Sequence, residues 1–202
     1  MDNTTLSLFK DNEFNDEVAS LLYNDRIIVL DKDIDPDILQ DIVLHIVQWN
    51  RDDKDLPKEK RRKIRLIIDS DGGSTIAANN LIDVMQVSKT PIIGIAFSIA
   101  ASAASSILIA CDERYAFKHT VVLLHDGSIA IGATGNKAKQ TMAFLDRVDE
   151  VDKELVLSKT NITEEEFEAN KEKEQYMFAD EAKEKGIIDG IIGVDVDLDS
   201  IF

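Results

Sequence analysis

Apolar runs of strand length alternate with segments of helical periodicity, and this alternation constrains the fold more than any other feature. "IRLIID" (64–69) is a nearly continuous apolar run that ends at "SDGG", and "STIAANNLIDVMQVS" (74–88) follows with apolar residues at helical spacing. "TPIIGIAFS" (90–98) is a second apolar run, and the alanine- and serine-rich stretch after it continues as a helix. Strand, helix, strand, helix in this order indicates parallel βαβ units.

The segments on either side fit the same α/β organisation. Upstream, "DRIIVL" (25–30) predicts a strand and "PDILQDIVLHIVQWN" (36–50) a helix. Downstream, "RYAF" and "TVVLLH" predict strands, and residues 136–160 form a long amphipathic pattern. Thr163 and Glu166 then make a capping-box pattern at the start of a further helix. We expect one α/β domain with a long helix inserted after a strand.

Charge and composition exclude several classes of function. The 202 residues include 39 Asp and Glu against 23 Lys and Arg, and a net charge of −16 repels a phosphate backbone, which argues against nucleic-acid binding. Cys111 is the only cysteine and the N-terminal sequence has no basic and apolar leader, so we predict a cytoplasmic protein. The longest apolar stretch, around 92–104, is shorter than the about 20 residues that span a bilayer.

Two features of the sequence could carry chemistry. In "IIDSDGGST" a strand runs into a Gly-Gly turn that opens a helix, and such a turn can direct backbone N–H groups at an anion or oxyanion. Gly-Gly turns after strands are also common without any function. The second feature is the set of four serines at 98, 102, 105 and 106, together with His125 at the end of "TVVLLH".

A serine at the start of a helix and a histidine at the end of a neighbouring strand are the parts of a nucleophile and its general base. A hydroxyl taken out of water needs a hydrogen-bond partner, so the serines demand an explanation. Close helix packing is the alternative for the serines, and a solvated or hydrogen-bonded structural role is the alternative for His125. Periodicity alone leaves both interpretations open.

A family resemblance decides between the catalytic and the structural interpretation. "IIDSDGGSTIAANNLIDVMQ", "KTPIIGIAFSIAASAAS", "RYAF", "VLLH" and "EQYMFADEAKEKGIIDGII" follow one another in the order found in the caseinolytic (Clp) protease proteolytic subunits, the ClpP family, which this chain resembles over about residues 20–193. The resemblance implies an α/β, ClpP/crotonase-like fold of repeated ββα units with a long handle helix at about 136–160. It divides the chain into a divergent N-terminal segment (1–19), a serine protease domain (20–193) and a C-terminal tail (194–202).

The resemblance offers two registers for the nucleophile. "TPIIGIAFS" fits the family's Gly-x-Ala-x-Ser pattern with Ser98 as the nucleophile. The spacing from Asp83 of "DVMQ" instead selects Ser102, which follows Ala-Ala as in the family. The number of residues from Ser102 to His125 also agrees with the family's spacing. Two anchors therefore favour Ser102, with Ser105 and Ser106 as packing residues on the helix.

The same family resemblance implies the other site residues. The oxyanion hole falls on the N–H groups of Gly73, with Gly72 adjacent, and Ala103, although Asp71 replaces the family's proline and makes a less preorganised turn. The third member of the triad falls on Glu174, where the family has aspartate. Asp180 and Asp126 are weaker candidates for that role.

The implied activity is that of a serine endopeptidase that forms an acyl-enzyme on Ser102 and needs no metal or other cofactor. The implied partners are peptides and unfolded proteins, further copies of the chain in heptameric rings that pair into a tetradecamer, and a Clp-type AAA+ ATPase. Neither nucleic acid nor a membrane is among them. The N-terminal sequence and "DGSIAIGATGN" after His125 depart from the family and bear on the ATPase and the ring number.

Two other functions stay open at this point. One is a catalytically impaired, ClpP-like structural subunit of a mixed ring, which Glu174 and Asp71 would favour. The other is a crotonase-fold enzyme that holds an acyl-thioester enolate with paired backbone N–H groups. The Ser-His pair and the "YMFADEA" segment argue against the second.

Overall fold

The fold is taken from a computed structural model, which describes residues 18, 20–127, 132 and 134–202. The predicted N-terminal segment, except residue 18, and residues 128–131 and 133 of the turn after His125 lie outside these described residues. Within them, no helix is both long enough and apolar enough to cross a membrane.

Strands and helices follow the predicted order along the chain. The strands are β1 (Ile27–Leu30), β2 (Ile64–Ser70), β3 (Ile92–Ala101), β4 (Glu113–Phe117), β5 (Val121–Leu124), β6 (Gln175–Phe178) and β7 (Gly190–Ile192). The α-helices are α1 (Leu44–Asp52), α2 (Thr75–Val87), α3 (Ala103–Ala110), α4 (Gly135–Lys159), α5 (Glu164–Asn170), α6 (Ala179–Glu184) and α7 (Leu198–Ile201). A π-helical segment, Leu39–Val43, leads into α1, and a 3₁₀ turn, Lys58–Lys60, precedes β2.

The described strands form one sheet that divides at β3. The order β1-β2-β3-β4-β7 is parallel throughout, as the βαβ pattern predicts. The first half of β3 pairs with β4, from Ile93 to Ala96, and its second half pairs with β5, from Ile99 to Ala101. β6 then pairs antiparallel with β5. The C-terminal end of β3 therefore lies beside β5 rather than beside β4, and β6 follows on the far side of β5.

A bulge in β3 separates its two halves. Between the pairs Ile68↔Ala96 and Ser70↔Ala100, β3 contains two residues more than β2. The Asp69 carboxylate accepts hydrogen bonds from the Ile99 N–H at 3.2 Å and from the Ser98 hydroxyl at 2.9 Å. The carboxylate thus satisfies donors that the interrupted ladder leaves free, and the bulge redirects the strand toward β5.

Helices cover one face of the sheet, and alternate residues of the strands point into that face. On β3 this face carries Ile92, Ala96 and Ala100, which join the main core with α2, α3 and the inner side of α4. The opposite face carries a smaller cluster, in which Ile93 and Ile95 pack with Ile192 and with Ile201 of α7. Gly94 faces α3, where an added Cβ would lie 2.7 Å from the Cys111 sulfur, so close helix packing requires glycine there.

A buried ion pair connects the start of β1 to the end of α1. Arg26 donates two hydrogen bonds to the Asp53 carboxylate, at 2.5 and 2.9 Å, and a third to the Arg62 carbonyl at 2.9 Å. Both side chains are at most 10% exposed. The hydrogen bonds from Arg26 hold the pKa of Asp53 below its ordinary value. Removal of one partner would leave a buried charge without compensation.

We therefore predict that Asp53→Asn lowers the free energy of unfolding by about 3 kcal/mol at pH 7, measured by urea denaturation. The matched control is Asp25→Asn, because Asp25 is 70% exposed and contacts Arg62 only at 3.6 Å, so its loss should cost less than about 0.5 kcal/mol. Because the folded pKa of Asp53 is lowered, its contribution is complete above about pH 4 and disappears as the pH falls through the folded pKa. Equal effects of the two substitutions would contradict the assignment.

Candidate active site

Ser102 lies at a sharp turn between the end of β3 and the start of α3. Its backbone has φ 54° and ψ −128°, in a region that residues other than glycine rarely adopt. A nucleophile on such a strand-to-helix turn is held with its side chain exposed at the edge of the sheet. The Ser102 N–H donates to the Leu123 carbonyl of β5 at 3.0 Å, which ties the turn to the neighbouring strand.

The register between β5 and β6 brings His125 and Glu174 together. Leu124 pairs with Gln175 in this antiparallel ladder, so His125 and Glu174 occupy the next pair of positions beyond the strands. The His125 Nδ1 and a Glu174 carboxylate oxygen are 3.0 Å apart, within hydrogen-bonding distance. The imidazole is 20% exposed and the carboxylate 57% exposed. Glu174 therefore contacts the ring from the solvent side, and Nε2 is left for another partner.

Ser102 and His125 line one cavity of about 330 Å³, which continues between α3 and α4. Their side chains, both in the described part of the chain, are not hydrogen-bonded to each other. Such contacts are often long before substrate binds and shorten in the complex. The structure thus brings Ser102 and His125 to one cavity, and Glu174 contacts His125.

The Gly-Gly turn packs directly against the Ser102 turn. A Cβ added to Gly72 would lie 2.8 Å from the Ser102 Cβ and 3.2 Å from the Ala103 nitrogen, and φ is +103°, so only glycine fits. The Ile34 N–H donates to the Gly72 carbonyl and the Ser74 N–H donates to the Ile34 carbonyl, both at 2.7 Å. In an extended strand the residue between two such groups directs its own N–H to the other side.

The N–H groups of Gly73 and Ala103 are both without an acceptor among the described residues. Gly73 is the residue whose N–H points away from Ile34, and Ala103 begins α3, whose N-terminus favours an anion. The turn that lacks the family's proline is held instead by its bridge to Ile34 and by the Gly72 N–H, which donates to the Ser70 hydroxyl at 3.2 Å. These hydrogen bonds tie the turn to Ile34 and Ser70 although the proline is absent.

The other candidate residues occupy different places. Ser98 donates its hydroxyl to Asp69 at the bulge, and it does not line the cavity. Asp180 accepts a hydrogen bond from the Glu181 N–H at the start of α6. Asp126 lines the cavity, but it is Glu174 that contacts His125.

Sequence reasoning missed the contact between α3 and α4. Ser106, expected to serve packing, donates its hydroxyl to the Asp152 carboxylate at 2.5 Å. Burial raises the pKa of Asp152, and this hydrogen bond offsets the effect in part. Asp152 lies on the inner side of the long helix, one turn from the buried Val156. Carboxylates on the same helical stripe as the apolar Leu155 and Val156 are the signal that could have revealed it.

Sequence comparison connects this site to known proteins. The sequence model described as Clp protease matches residues 10–195, which is more than nine-tenths of the chain. The chain belongs to the Clp protease family. This confirms the resemblance to the ClpP family and the α/β fold with its long helix, and with them the prediction of a serine-type peptidase.

Several curated relatives are named as proteolytic subunits of ATP-dependent Clp proteases. ATP-dependent Clp protease proteolytic subunit 1 of Streptomyces coelicolor is 31% identical over 180 residues, 88% of this chain and 78% of its own length. Proteolytic subunit 2 of Thermobifida fusca is 28% identical over 88% of this chain and 85% of its own length. Subunit 2 of Rhodococcus jostii is 27% identical over 88% of this chain and 89% of its own.

The contact between Glu174 and His125 generates a prediction. Glu174→Gln should lower kcat at least about 100-fold on a short fluorogenic peptide, because an amide stabilises neither the imidazolium nor the productive tautomer. Glu172→Gln is the matched control, since Glu172 is exposed in the same loop and forms no ion pair with a described residue. Its rate should stay within about twofold of the wild type. A wild-type rate in Glu174→Gln would show that the acid lies elsewhere or that Ser102 and His125 work as a dyad.

Proposed function

We propose that the chain is a serine endopeptidase, the proteolytic subunit of a self-compartmentalised Clp-type protease, with Ser102 as its nucleophile. One observation carries the proposal: Ser102, on a turn with positive φ, and His125 line the same cavity. The Nδ1 of His125 also contacts the Glu174 carboxylate. These are the three parts that nucleophilic acyl transfer requires.

In the proposed mechanism, the Ser102 Oγ attacks a substrate peptide carbonyl while the Nε2 of His125 takes the hydroxyl proton. The carbonyl π electrons move to oxygen, and the resulting oxyanion accepts hydrogen bonds from the Gly73 and Ala103 N–H groups. Glu174 holds the imidazole through Nδ1 and stabilises its cationic form. His125 then gives its proton to the leaving amine as the C–N bond breaks. Water, deprotonated by His125, attacks the acyl-enzyme. His125 then returns this proton to the Ser102 Oγ as the ester C–O bond breaks and the second product leaves.

The proposal includes assembly into rings that enclose the active sites, as the Clp protease family implies. We propose two heptameric rings joined through α4, which exposes apolar side chains along its length, among them Met142, Phe144 and Val151. β6 adds exposed Tyr176 and Phe178 beside the site. Exposed apolar surface of this extent is typical of an interface. The protease domain would span 20–193, between an N-terminal segment of 1–19 and a tail of 194–202.

The proposed partners follow from enclosed sites. Folded proteins would be excluded from such a chamber, so substrates would be peptides or chains unfolded by a Clp-type AAA+ ATPase. The curated relatives are named as subunits of an ATP-dependent Clp protease. The single buried Cys111 is compatible with a reducing compartment, and we propose a cytoplasmic location.

The proposed nucleophile is tested with a fluorophosphonate probe, followed by mass spectrometry to locate the modified residue. We expect the label on Ser102 and the loss of both labelling and peptide hydrolysis in Ser102→Ala, because removal of a triad nucleophile costs orders of magnitude in kcat. Ser98→Ala is the matched control, and it should keep its activity because the Ser98 hydroxyl serves the bulge.

Three other outcomes would each indicate a different nucleophile or a different function for the chain. Activity lost in Ser98→Ala but kept in Ser102→Ala would move the nucleophile to the other register. An assembled protein that reacts with no probe and cleaves no peptide would be the structural subunit of a mixed ring. Turnover of acyl-thioesters without labelling of any serine would indicate the crotonase-type enzyme.

The proposed assembly predicts a particle many times the 22.5 kDa mass of the chain, measured by light scattering. A net charge of −16 opposes self-association, so moderate salt that screens this repulsion should favour the larger particle. Phe144→Glu, which places a charge on a side chain that is 47% exposed on α4, should reduce the mass. A monomer at every salt concentration would contradict the ring proposal.

A further inference from the structure

The strands that lead to the proposed catalytic groups meet at the bulge of β3. Beyond the bulge, Ile99 is the first residue of β3 that pairs with β5, where its partner is Val121. Ser102 lies three residues beyond Ile99, and His125 directly follows the end of β5. On the other side of the bulge, β2 ends just before the Gly-Gly turn. A shift of β3 at this point would therefore displace the nucleophile and its base relative to that turn.

The side chain of Asp69 joins β2 to β3 at this junction. One of its carboxylate oxygens accepts a hydrogen bond from the Ile99 N–H at 3.2 Å, and the other accepts one from the Ser98 hydroxyl at 2.9 Å. Asp69 is half-buried and does not line the cavity that Ser102 and His125 share. It can therefore influence the reaction only through the backbone that it holds.

The two proposed oxyanion donors follow this contact at equal separations along the chain. Gly73 lies four residues after Asp69, and Ala103 lies four residues after Ile99. On the β2 side, the buried Ser70 keeps the intervening segment in place, because its hydroxyl accepts a hydrogen bond from an N–H of the turn. One hydrogen bond thus connects the starts of two short backbone segments whose ends have to converge on a single substrate oxygen.

Convergence of this kind tolerates little displacement. An oxyanion donor is effective only when it lies about 2.7–3.1 Å from the oxygen that becomes charged. A misplacement of about 1 Å, caused by a change away from the reacting atoms, can cost about 100-fold in rate. The turn at Ser102 is also strained, with φ at 54°, so its surroundings have to hold it. Loss of the Asp69 contact would consequently be felt where the two donors converge.

We propose that Asp69 is a positioning residue of the peptidase. Through its hydrogen bond to Ile99, it sets the separation of the Gly73 and Ala103 N–H groups. The inference rests on the proposed function, because it assumes that these two groups bind the oxyanion formed during acyl transfer. Asp69 acts through the position of its oxygen and not through its charge, since the Ile99 N–H requires only an acceptor at that place.

The test compares Asp69→Ala and Asp69→Asn in the full-length protein, with a short fluorogenic peptide and the peptide aldehyde of the same sequence. The Ser102 Oγ adds to the aldehyde carbon while its proton passes to His125, and the resulting tetrahedral oxygen occupies the oxyanion site. Affinity for the aldehyde therefore reports on the two donors, whereas KM reports mainly on the unreacted substrate. All rates are divided by the concentration of sites that a fluorophosphonate probe titrates.

Asp69→Ala should lower kcat per titrated site about 30-fold and weaken aldehyde binding by the same factor, with KM within about twofold of the wild type. Asp69→Asn keeps an oxygen at the same place, and its kcat should stay within about threefold of the wild type. A merely structural role would lower the number of titrated sites and leave both kcat per site and the affinity for the aldehyde unchanged.

Asp112→Ala is the matched control. Asp112 accepts a hydrogen bond from the Ile92 N–H at 2.9 Å, which is the same kind of contact at the opposite end of β3. This substitution should lower the midpoint of urea denaturation, but it should leave kcat per site and aldehyde affinity within about twofold of the wild type. Ser98→Ala removes only the second contact of Asp69, and its kcat should also stay within about twofold.

Asp69→Glu serves where Asp69→Ala does not fold, because it keeps the carboxylate but displaces it by one methylene group. It should lower kcat and aldehyde affinity in the same proportion. Wild-type values of both quantities in Asp69→Ala, or in Asp69→Glu where it is used, would overturn the inference and leave the peptidase intact. An Asp69→Asn variant as slow as Asp69→Ala would also overturn it, because charge would then matter more than position. A wild type in which no serine is labelled and no peptide is cleaved would overturn the proposed function and the inference with it.

Discussion

The division of the sheet at β3 is the constraint on which the rest of the structure depends. A ten-residue strand pairs with β4 along its first half and with β5 along its second, and the bulge between the halves makes this possible. Asp69 of β2 stabilises the bulge because its side chain accepts hydrogen bonds from the Ser98 hydroxyl and the Ile99 N–H. If β3 continued straight beside β4, the strand end that carries His125 would have no place next to Ser102. Three distant parts of the chain thus meet because one strand changes partners.

The order of elements could be predicted from the sequence, because alternating and helical apolar periodicities report which residues are buried. The strand "IRLIID" and the helix "STIAANNLIDVMQVS" appear within about two residues of their predicted bounds. The bulge could not be predicted in this way, because it depends on a carboxylate that contacts a strand 30 residues away. The alignment of His125 with Glu174 depends likewise on a β-ladder register, and 49 residues separate the two in sequence. Only the family resemblance brought them together beforehand.

The four serines illustrate the same limit at the level of single side chains. Their spacing was visible in the sequence, but each hydroxyl has a different partner in the structure. Ser98 donates to Asp69, Ser105 to the Ser102 carbonyl and Ser106 to Asp152, whereas Ser102 has no such partner among the described residues. Hydrogen bonding explains three of the hydroxyls as structural, and the remaining one lies at the cavity with His125. Periodicity predicts the face of a helix or strand on which a residue lies, but it does not identify the atom that its hydroxyl contacts.

The positive φ of Ser102 has a consequence for how a protein of this kind can change over evolutionary time. A residue with a Cβ is strained in that conformation, and the surrounding hydrogen bonds have to hold it there. Glycine would relax the strain at once, so selection for stability alone favours the loss of the hydroxyl. As long as selection for cleavage acts on the chain, serine is retained against this tendency. Under the proposed mechanism, once that selection ends, a single substitution of Ser102 by glycine would both inactivate the protein and make its fold more stable.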